Sequence, residues 1–353
     1  MKIKFAVIGC GRIAPSHLEG IKNAPHAELV AVCDIDEEKA KNAAAEYGLS
    51  KWYTDAKTML NSEKIDVCCI CTPSGLHAEH ACLAASSGCH VLCEKPLDVT
   101  SEKMQKMIDT CRKNNVKLGA IFQRRTFDGA IKAKEIVESG ALGKITLADV
   151  SMKYYRDQEY YDCDTWRATW EYDGGGALMN QGVHGIDMLS WIMGGIHSVY
   201  AHCDRLCWDI EVEDTAVICV KYKNGALGVI QGTTTAYPGL DTVFSFHGPQ
   251  GSISFGDSKV YTWNIKDKNL KIPEITGSMG GINCQYSTTN FGHDTQIEDM
   301  AMAVIEDRDP MVTGEDAKKS VEIILAIYES AKTGKEIILD KKNRLSQGGL
   351  TWG

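Results

Sequence analysis

The sequence lacks a long hydrophobic stretch and has no excess of basic residues. No segment approaches the roughly 18 consecutive apolar residues of a membrane-spanning helix, and the N-terminus has no apolar segment of signal-peptide length. Lys and Arg number 38 against 47 Asp and Glu, giving a net charge of −9, which disfavours a polyanion such as DNA as the main partner. We therefore expect a cytoplasmic protein that binds neither nucleic acid nor membrane.

The rest of the composition is close to that of an average folded protein. Charged residues make up 24% of the 353 residues and hydrophobic residues 44%, which excludes disordered, collagen-like and coiled-coil classes. At roughly 150 residues per domain, this length predicts two domains.

The 14 cysteines are concentrated near the N-terminus, where nine precede residue 121. In a reducing compartment, a functional cluster of cysteines would bind metal or be redox-active. Cys68 and Cys71 have C-x-x-C spacing, but they lie in an apolar stretch typical of a buried strand, on which residues three apart point to opposite faces. We therefore predict no metal site and interpret the cysteines as small core residues, with a zinc protein as the weakest alternative.

The first 121 residues alternate between strand and helix patterns. Short apolar runs separated by helical stretches predict a parallel sheet covered by helices on both faces. We assign residues 1–121 to a Rossmann domain, an α/β fold with a doubly wound parallel sheet. The strands are expected at 3–9, 28–34, around Trp52, and at 65–71, 90–93 and 116–121.

The pattern changes after residue 121. Short segments rich in Val, Ile, Thr and aromatic residues, separated by turn signals, predict an antiparallel meander. We assign residues 122–353 to an α+β domain with a mostly antiparallel open sheet that binds the substrate, and leave open whether its C-terminal helices pack on the first domain. Helices are expected at 128–139, 177–193, 294–307 and 315–332.

A glycine-rich segment after the first strand predicts a dinucleotide site. In the sequence from Gly9 to Ala14, Gly9 allows a tight turn, Gly11 lets backbone approach a pyrophosphate, and Ala14 lets the helix pack on the strand. Arg12 and Ile13 complete this loop, and the N–H groups of the first helical turn bind phosphate. Asp34 ends the second strand, where a carboxylate binds the adenosine ribose and repels a 2′-phosphate. The expected cofactor is therefore NAD rather than NADP.

Two further segments lie where strands of the first sheet end. Thr72-Pro73-Ser74 follows one strand and Glu94-Lys95-Pro96 follows the next. Open α/β sheets bind their ligands at the carboxyl ends of their strands. These segments are therefore candidates for the ligand site, although a lysine at such an edge is often only solvated.

Asn180, His184 and Asp187 follow a run of three glycines. Spacings of four and three residues place all three on one face of a helix. An imidazole that titrates near neutrality, oriented by an amide or carboxylate, suits proton transfer. A hydrogen-bonded histidine near a domain interface is the alternative interpretation.

In combination, these motifs resemble the Gfo/Idh/MocA family of NAD(P)-dependent sugar and cyclitol oxidoreductases. The set consists of GxGxxA, Asp34, TPxxxH (Thr72, Pro73, His77), EKP and GGGxLxNxGxHxxD, and the resemblance continues at 224–234 and 314–335. It covers nearly the whole chain. It implies a Rossmann domain, a C-terminal domain whose mixed, mostly antiparallel sheet mediates homo-oligomer formation, and an active site at the nicotinamide between them.

The resemblance also implies roles for individual residues. Lys95 and His184 would be catalytic, Glu94 and the Thr72-Pro73 loop would line the nicotinamide end, His77 would belong to the same cofactor set, and Pro96 would follow a cis peptide. Inositol dehydrogenases have D-x-x-x-H where this chain has Asn180-x-x-x-His184. An amide cannot act as a base, so we expect Asn180 to bind a substrate hydroxyl.

The mechanism expected from these residues is hydride transfer between a secondary carbinol carbon and NAD. The alcohol proton passes to His184 while the Lys95 ammonium stabilises the alkoxide, although the sequence leaves open which of the two is the base.

The substrate is expected to be a sugar or glycoside. Aromatic rings suit the C–H faces of a pyranose, and charged or amide groups suit its hydroxyls. Because relatives with similar glycine-rich segments act on glycosides or nucleotide sugars, oxidation of a pyranoside ring hydroxyl, with C3 a candidate, is favoured over myo-inositol. The arginines keep a UDP-sugar open. The candidate substrate-binding residues are Asn180, Asp187, Arg124, Trp166, Arg167 and Tyr154.

Two other classes stay open. A redox glycosidase would retain its NAD through a cycle of oxidation, elimination and re-reduction, releasing an aglycone without net NADH. A non-enzymatic NAD(H) sensor would bind cofactor without turnover.

Overall fold

The computed structural model describes residues 1–269 and 292–339. The chain divides into two compact units, each built from two separate stretches of sequence. The first unit contains Met1–Gln123 and Thr288–Lys318, and the second contains Arg124–Ser287 and Lys319–Gly353.

The described strands are numbered in chain order. They are β1 (Ile3–Ile8), β2 (Ala27–Cys33), β3 (Trp52–Tyr53), β4 (Val67–Ile70), β5 (His90–Cys93), β6 (Leu118–Ala120), β7 (Leu147–Lys153), β8 (Ile196–Asp204), β9 (Thr215–Tyr222), β10 (Leu227–Thr233), β11 (Val243–Gly248), β12 (Gly251–Gly256), β13 (Val260–Ile265) and β14 (Ile337–Ile338).

The described α-helices are numbered in the same way. They are α1 (Ala14–Asn23), α2 (Glu37–Glu46), α3 (Ala56–Ser62), α4 (His77–Ser86), α5 (Ser101–Lys113), α6 (Asp128–Glu138), α7 (Gln158–Asp162), α8 (Val183–Met193), α9 (His293–Ile305) and α10 (Gly314–Thr333).

The first unit is built on a six-stranded parallel sheet. Its strand order is β3-β2-β1-β4-β5-β6, which confirms the predicted doubly wound fold. All four residues of β4 are buried, as expected for a strand covered by helices on both faces. The carboxyl ends of the strands form one edge of the sheet, and β1, β4 and β5 lead there into the glycine-rich segment, Thr72-Pro73 and Glu94-Lys95-Pro96.

Helix α9 completes the hydrophobic core of the first unit. Ile297, Met300 and Ala301 of this helix belong to the same buried cluster as Phe5 and Leu18. A Cβ atom at Gly20 on α1 would lie 2.6 Å from the Ile297 side chain, so the two helices pack closely there. The core of the first unit, the predicted cofactor-binding domain, is therefore built from two stretches of the chain that are distant in sequence.

The second unit contains an eight-stranded sheet in the order β13-β12-β11-β7-β10-β9-β8-β14. The β7 and β10 strands pair in parallel and the other pairs are antiparallel, which confirms the mostly antiparallel sheet. A simple meander is wrong, because β7 lies between β10 and β11. The alternating burial of β9 fits a sheet with one exposed face. This alternation shows which face of a strand is buried, but it does not specify which other strand pairs with it.

Three described elements, α7, β13 and β14, are absent from the sequence-based expectation. The helix predicted at 177–193 is two segments, because Ala177–Gly182 is π-helical and α8 begins at Val183. In the described ranges, no helix has the length and apolar character needed to span a membrane.

The cysteines in and beside the strands of the first sheet are core residues, as predicted, whereas Cys163, Cys207 and Cys219 are exposed. All thirteen within the described residues are free thiols, and Cys33, Cys68, Cys69, Cys71 and Cys93 are buried. Burial raises the pKa of the Cys33 thiol to about 12, so it stays protonated at neutral pH. Cys284 lies outside the described residues.

Candidate active site

The glycine loop, residues 9–14, follows β1. It lies at the edge of the first sheet where the carboxyl ends of the strands meet, which we call the ligand edge. Gly9 has φ +97°, and a Cβ there would lie 2.6 Å from the carbonyl carbon and oxygen of Cys71. Only glycine fits this turn. At Gly11 a Cβ would meet nothing within 4 Å, and both Gly11 and Arg12 are exposed. The backbone around Gly11 is therefore open to a ligand.

Helix α1 begins directly after this loop. Side chains of Asp36, Asp55 and Thr100 cap α2, α3 and α5, whereas α1, like α4, α6, α8 and α9, has no side-chain cap among the described residues. The start of α1 presents a partial positive charge to an anion, although Pro15 has no N–H and the N–H groups of Ala14 and Ser16 bond to the Gly11 and Ile13 carbonyls at 3.2 and 3.0 Å. The loop and helix therefore fit the pyrophosphate of a dinucleotide.

Asp34 lies beside the glycine loop. Its Oδ2 accepts the Cys10 N–H at 2.7 Å and its Oδ1 accepts the Asp36 N–H at 2.9 Å. These bonds fix the half-buried carboxylate against the loop, and each carboxylate oxygen keeps a lone pair for a ribose hydroxyl. Asp34 therefore fits the adenosine end of NAD and disfavours the phosphate of NADP.

His77 connects two loops at the ligand edge. Its Nδ1 lies 2.8 Å from the Pro96 carbonyl oxygen and its Nε2 lies 2.9 Å from that of Thr72, and the residue is 1% exposed. Both ring nitrogens face backbone carbonyls, and the expected contact of His77 with the cofactor stays a prediction. The imidazole holds the Thr72-Pro73 loop against Pro96.

Glu94 is also turned into the protein. Its Oε1 lies 2.8 Å from His17 Nε2 and 3.2 Å from His293 Nε2, and its Oε2 accepts the Lys95 N–H at 3.1 Å. Burial opposes ionisation, but the bonds from His17 and His293 hold the pKa of Glu94 well below its usual range. Both carboxylate oxygens have internal partners and the residue is 5% exposed, and the expected cofactor contact of Glu94 stays a prediction.

The three side chains around Glu94 are of types that ligate metals. Their ligating atoms lie within 4.8 Å of one another. However, Glu94 Oε1 lies at hydrogen-bond distance from both histidine Nε2 atoms, and a neutral imidazole can donate its ring N–H in each bond. We interpret the group as a hydrogen-bonded cluster beside Lys95, which is partly exposed and precedes the cis peptide to Pro96.

In the second unit, the glycine run leads into the helical segment that carries Asn180 and His184. A Cβ at Gly175 would overlap the Tyr328 hydroxyl, and one at Gly176 would overlap the Glu213 carbonyl. Asn180 Nδ2 donates to Asp173 Oδ1 at 2.9 Å, which orients the amide. His184 is buried in the first turn of α8.

Asp187, which the sequence analysis expects to contact substrate, has internal partners in the second unit. Its two oxygens accept bonds from Arg125 Nε at 2.8 Å and Nη2 at 2.6 Å, and Ser320 Oγ donates to it at 2.6 Å. Asp187 is 1% exposed. A carboxylate buried and paired with an arginine in this way is not presented to a ligand.

The other predicted substrate residues form two groups. Arg124 Nη1 and the Tyr154 hydroxyl both contact Thr242 Oγ1, at 3.1 and 2.8 Å, and Arg124 also pairs with Asp257. The Arg167 guanidinium lies 4.8 Å from the ring centre of Trp166, a cation–π contact, and bonds to Asp164 at 2.9 Å.

Sequence reasoning missed His17, His293, Glu213 and Tyr328. Each is buried and polar or aromatic, and each contacts a segment that the motifs identified. The sequence signal for such residues is weak, because it consists only of a charged or polar residue at a position where the surrounding hydrophobic pattern predicts burial.

Two family models match the chain. Residues 3–122 match the model described as an oxidoreductase family with an NAD-binding Rossmann fold, and residues 130–254 match the GFO/IDH/MocA C-terminal domain.

Curated relatives match over nearly the full length. The chain is 28% identical to the myo-inositol 2-dehydrogenase of Thermotoga maritima, covering 96% of this chain and 99% of that protein. It is 27% identical to the D-glucoside 3-dehydrogenase of Escherichia coli, covering 96% and 97%.

A solved structure is similar to this chain over nearly the full length. The WlbA dehydrogenase from Bordetella pertussis, in complex with NADH and UDP-GlcNAcA, has a TM-score of 0.87 and 31% sequence identity, covering 97% of this chain and 100% of that one.

Proposed function

Because the chain belongs to the Gfo/Idh/MocA family of oxidoreductases, we propose that this NAD-dependent dehydrogenase oxidises a secondary ring hydroxyl of a pyranoside, with C3 the favoured position. The strongest support is the ligand edge of the first sheet. There an open glycine loop, Asp34 and the partly exposed Lys95 all follow the carboxyl ends of parallel strands.

The residues would divide the work as follows. Gly9, Gly11, Arg12 and Ile13 hold the pyrophosphate and Asp34 holds the ribose, with Thr72, Pro73 and Lys95 lining the other end. When bound, NAD accepts a hydride. His184 receives the hydroxyl proton of the substrate, and the Lys95 ammonium stabilises negative charge on that oxygen. The substrate thereby loses a hydride to the cofactor and a proton to His184 and becomes a ketone; in the reverse direction the ketone would regain a hydride from the reduced cofactor and a proton from His184.

Substrate recognition is assigned to the second unit. Asn180, oriented by Asp173, is proposed to bind a sugar hydroxyl. The Trp166 ring beside Arg167 offers a flat surface for a pyranose, and Arg124 with Tyr154 offers hydrogen-bond donors. The named activity of the D-glucoside 3-dehydrogenase relative supports C3 as the reacting carbon.

A nucleotide-sugar dehydrogenase is the second candidate. It is favoured by the likeness to the WlbA structure, which holds UDP-GlcNAcA. Myo-inositol is the third, favoured by the Thermotoga maritima relative.

A substrate panel tests these assignments. The purified chain is given NAD⁺ or NADP⁺ with methyl glucosides, free hexoses, inositols and UDP-sugars, and NADH is followed by absorbance. We expect steady NADH formation with a methyl glucoside and NAD⁺. Turnover restricted to UDP-sugars or inositols would contradict the pyranoside assignment, aglycone release without NADH would indicate a redox glycosidase, and cofactor binding with no turnover would indicate a sensor.

We also propose that the exposed face of the eight-stranded sheet mediates homo-oligomer formation. Leu147 and Leu227 are paired neighbours on β7 and β10, and Val217 lies on the same sheet; each is at least 41% exposed. Light scattering should report an oligomer for the unmodified chain and a smaller species for the Leu147→Asp/Leu227→Asp variant. The exposed Leu206→Asp is the matched control, and a monomeric unmodified chain would contradict the proposal.

A further inference from the structure

We propose that Glu213 is a positioning residue: its buried carboxylate anchors the start of the helical segment that carries Asn180 and His184, and its ionisation controls turnover. The inference rests on the proposed function, since it takes His184 to be the group that receives the proton.

The contacts of Glu213 are concentrated at the beginning of that segment. Its Oε2 accepts the Gly176 N–H at 2.9 Å, and its Oε1 accepts the Leu178 N–H at 2.8 Å. The Glu213 backbone oxygen accepts the Ala177 N–H at 3.0 Å. Three consecutive peptide groups of the segment are therefore held by one residue.

Close packing at the glycine run accompanies these hydrogen bonds. The Tyr328 hydroxyl donates to Oε1 at 2.9 Å, and the overlaps that a Cβ would make at Gly175 and Gly176 involve Tyr328 and Glu213 themselves. Two of the three glycines thus let the chain approach its anchor. The segment then continues as a π-helix, a rare conformation that frequently marks functional sites.

The neighbouring residue fixes the loop that presents Glu213. The Asp214 carboxylate accepts the N–H groups of Leu206, Cys207 and Trp208 at 2.7 to 3.1 Å. This folds the connection between β8 and β9 and turns Glu213 inward, where it is 0% exposed.

The donors that reach the Glu213 carboxylate are neutral, which makes its charge sensitive to pH. Burial raises the pKa of Glu213 to about 7, although the bonds from Leu178, Gly176 and Tyr328 favour the ionised form. The other titratable groups that face this cluster are Asp173, Tyr161 and Cys203. Burial raises the pKa of Tyr161 and Cys203 and keeps both neutral.

The sign of the effect follows from the geometry. Above pH 7 the Glu213 carboxylate is ionised and accepts the bonds from Gly176, Leu178 and Tyr328. Below pH 7 the protonated carboxyl group has one acceptor fewer and no negative charge to stabilise the start of the helical segment. Anchoring, and with it kcat, should rise with pH through about 7.

Three variants separate this role from a purely structural one. The reaction is followed as NADH formation from methyl β-D-glucopyranoside between pH 5.5 and 9. We expect Glu213→Gln to lower kcat by about tenfold to a hundredfold, the scale of a small misplacement of a catalytic group, with KM and NAD affinity nearly unchanged. It should also remove the inflection near pH 7, whereas Tyr328→Phe should move that inflection to higher pH. The exposed Glu211→Gln is the control.

Hydrogen exchange of the Gly176 and Leu178 amides needs no substrate. Exchange about tenfold faster in Glu213→Gln would support the anchor, since that factor corresponds to the loss of a hydrogen bond to a charged group. Unchanged exchange, or an unchanged inflection in kcat, would overturn the inference. If the glucoside is not oxidised at all, the proposed function fails on that probe while the exchange result still decides whether Glu213 anchors the segment.

Discussion

Replacing Lys95 with Met should lower kcat by about 10²- to 10⁴-fold, the range associated with removing a positioned acid–base or charge-stabilising group. Methionine keeps an unbranched apolar stem but removes the ammonium that would stabilise the substrate oxygen. Binding of NADH, measured by fluorescence, should change little, because the predicted pyrophosphate and ribose contacts are Gly11 and Asp34. Turnover is measured with the sugar that performs best in the substrate panel.

His184→Gln should cause a loss of similar size, because the amide cannot accept a proton. Lys106→Met, at an exposed position on α5, serves as the matched control and should leave turnover unchanged. Near-normal turnover of both Lys95→Met and His184→Gln, with cofactor binding intact, would show that neither residue takes part in the chemistry.

Arg125→Met should lower the free energy of unfolding of the second unit by about 3–5 kcal/mol, because it leaves the Asp187 carboxylate buried without its cation. Chemical denaturation followed by tryptophan fluorescence measures this change. The double variant Arg125→Met/Asp187→Leu should recover most of the loss, because burying an apolar pair costs far less than burying a lone charge.

A surface pair provides the comparison. Lys132 and Glu135 are 2.6 Å apart but largely exposed, so Lys132→Met should change stability by less than about 1 kcal/mol. If Arg125→Met were as stable as the unmodified chain, Asp187 would not depend on the arginine, and a direct contact with substrate would again be a reasonable role for it.

The first sheet could be predicted from sequence because its signals are local. Apolar strands such as Val67–Ile70 contain their own signal, and the positions of Gly9 and Asp34 follow from the turn and the strand end that they occupy. Strand pairing in the second unit could not be predicted in this way. The alternation along β7 says which face is buried, but its two neighbours come from distant parts of the chain.

In the candidate site, likewise, some residues could be predicted from sequence and others could not. Lys95 and His184 were identifiable by motif, but the partners that orient their surroundings lie far away in sequence. His293 is 199 residues from Glu94, and Tyr328 is 115 residues from Glu213. Spacing within a helix also placed Asp187 with His184 correctly on one helix, yet it could not show that Arg125 and Ser320 occupy the carboxylate.

The two-part construction of the first unit limits how this enzyme can be recombined with its relatives. A chimera that exchanged only residues 1–123 would separate Glu94 from His293 and α1 from Ile297, and would expose apolar surface at Gly20 and Leu18. Grafting a cofactor domain therefore requires transplanting α9 together with it. Shuffling at the single boundary suggested by the family match would join two incompatible halves of one core.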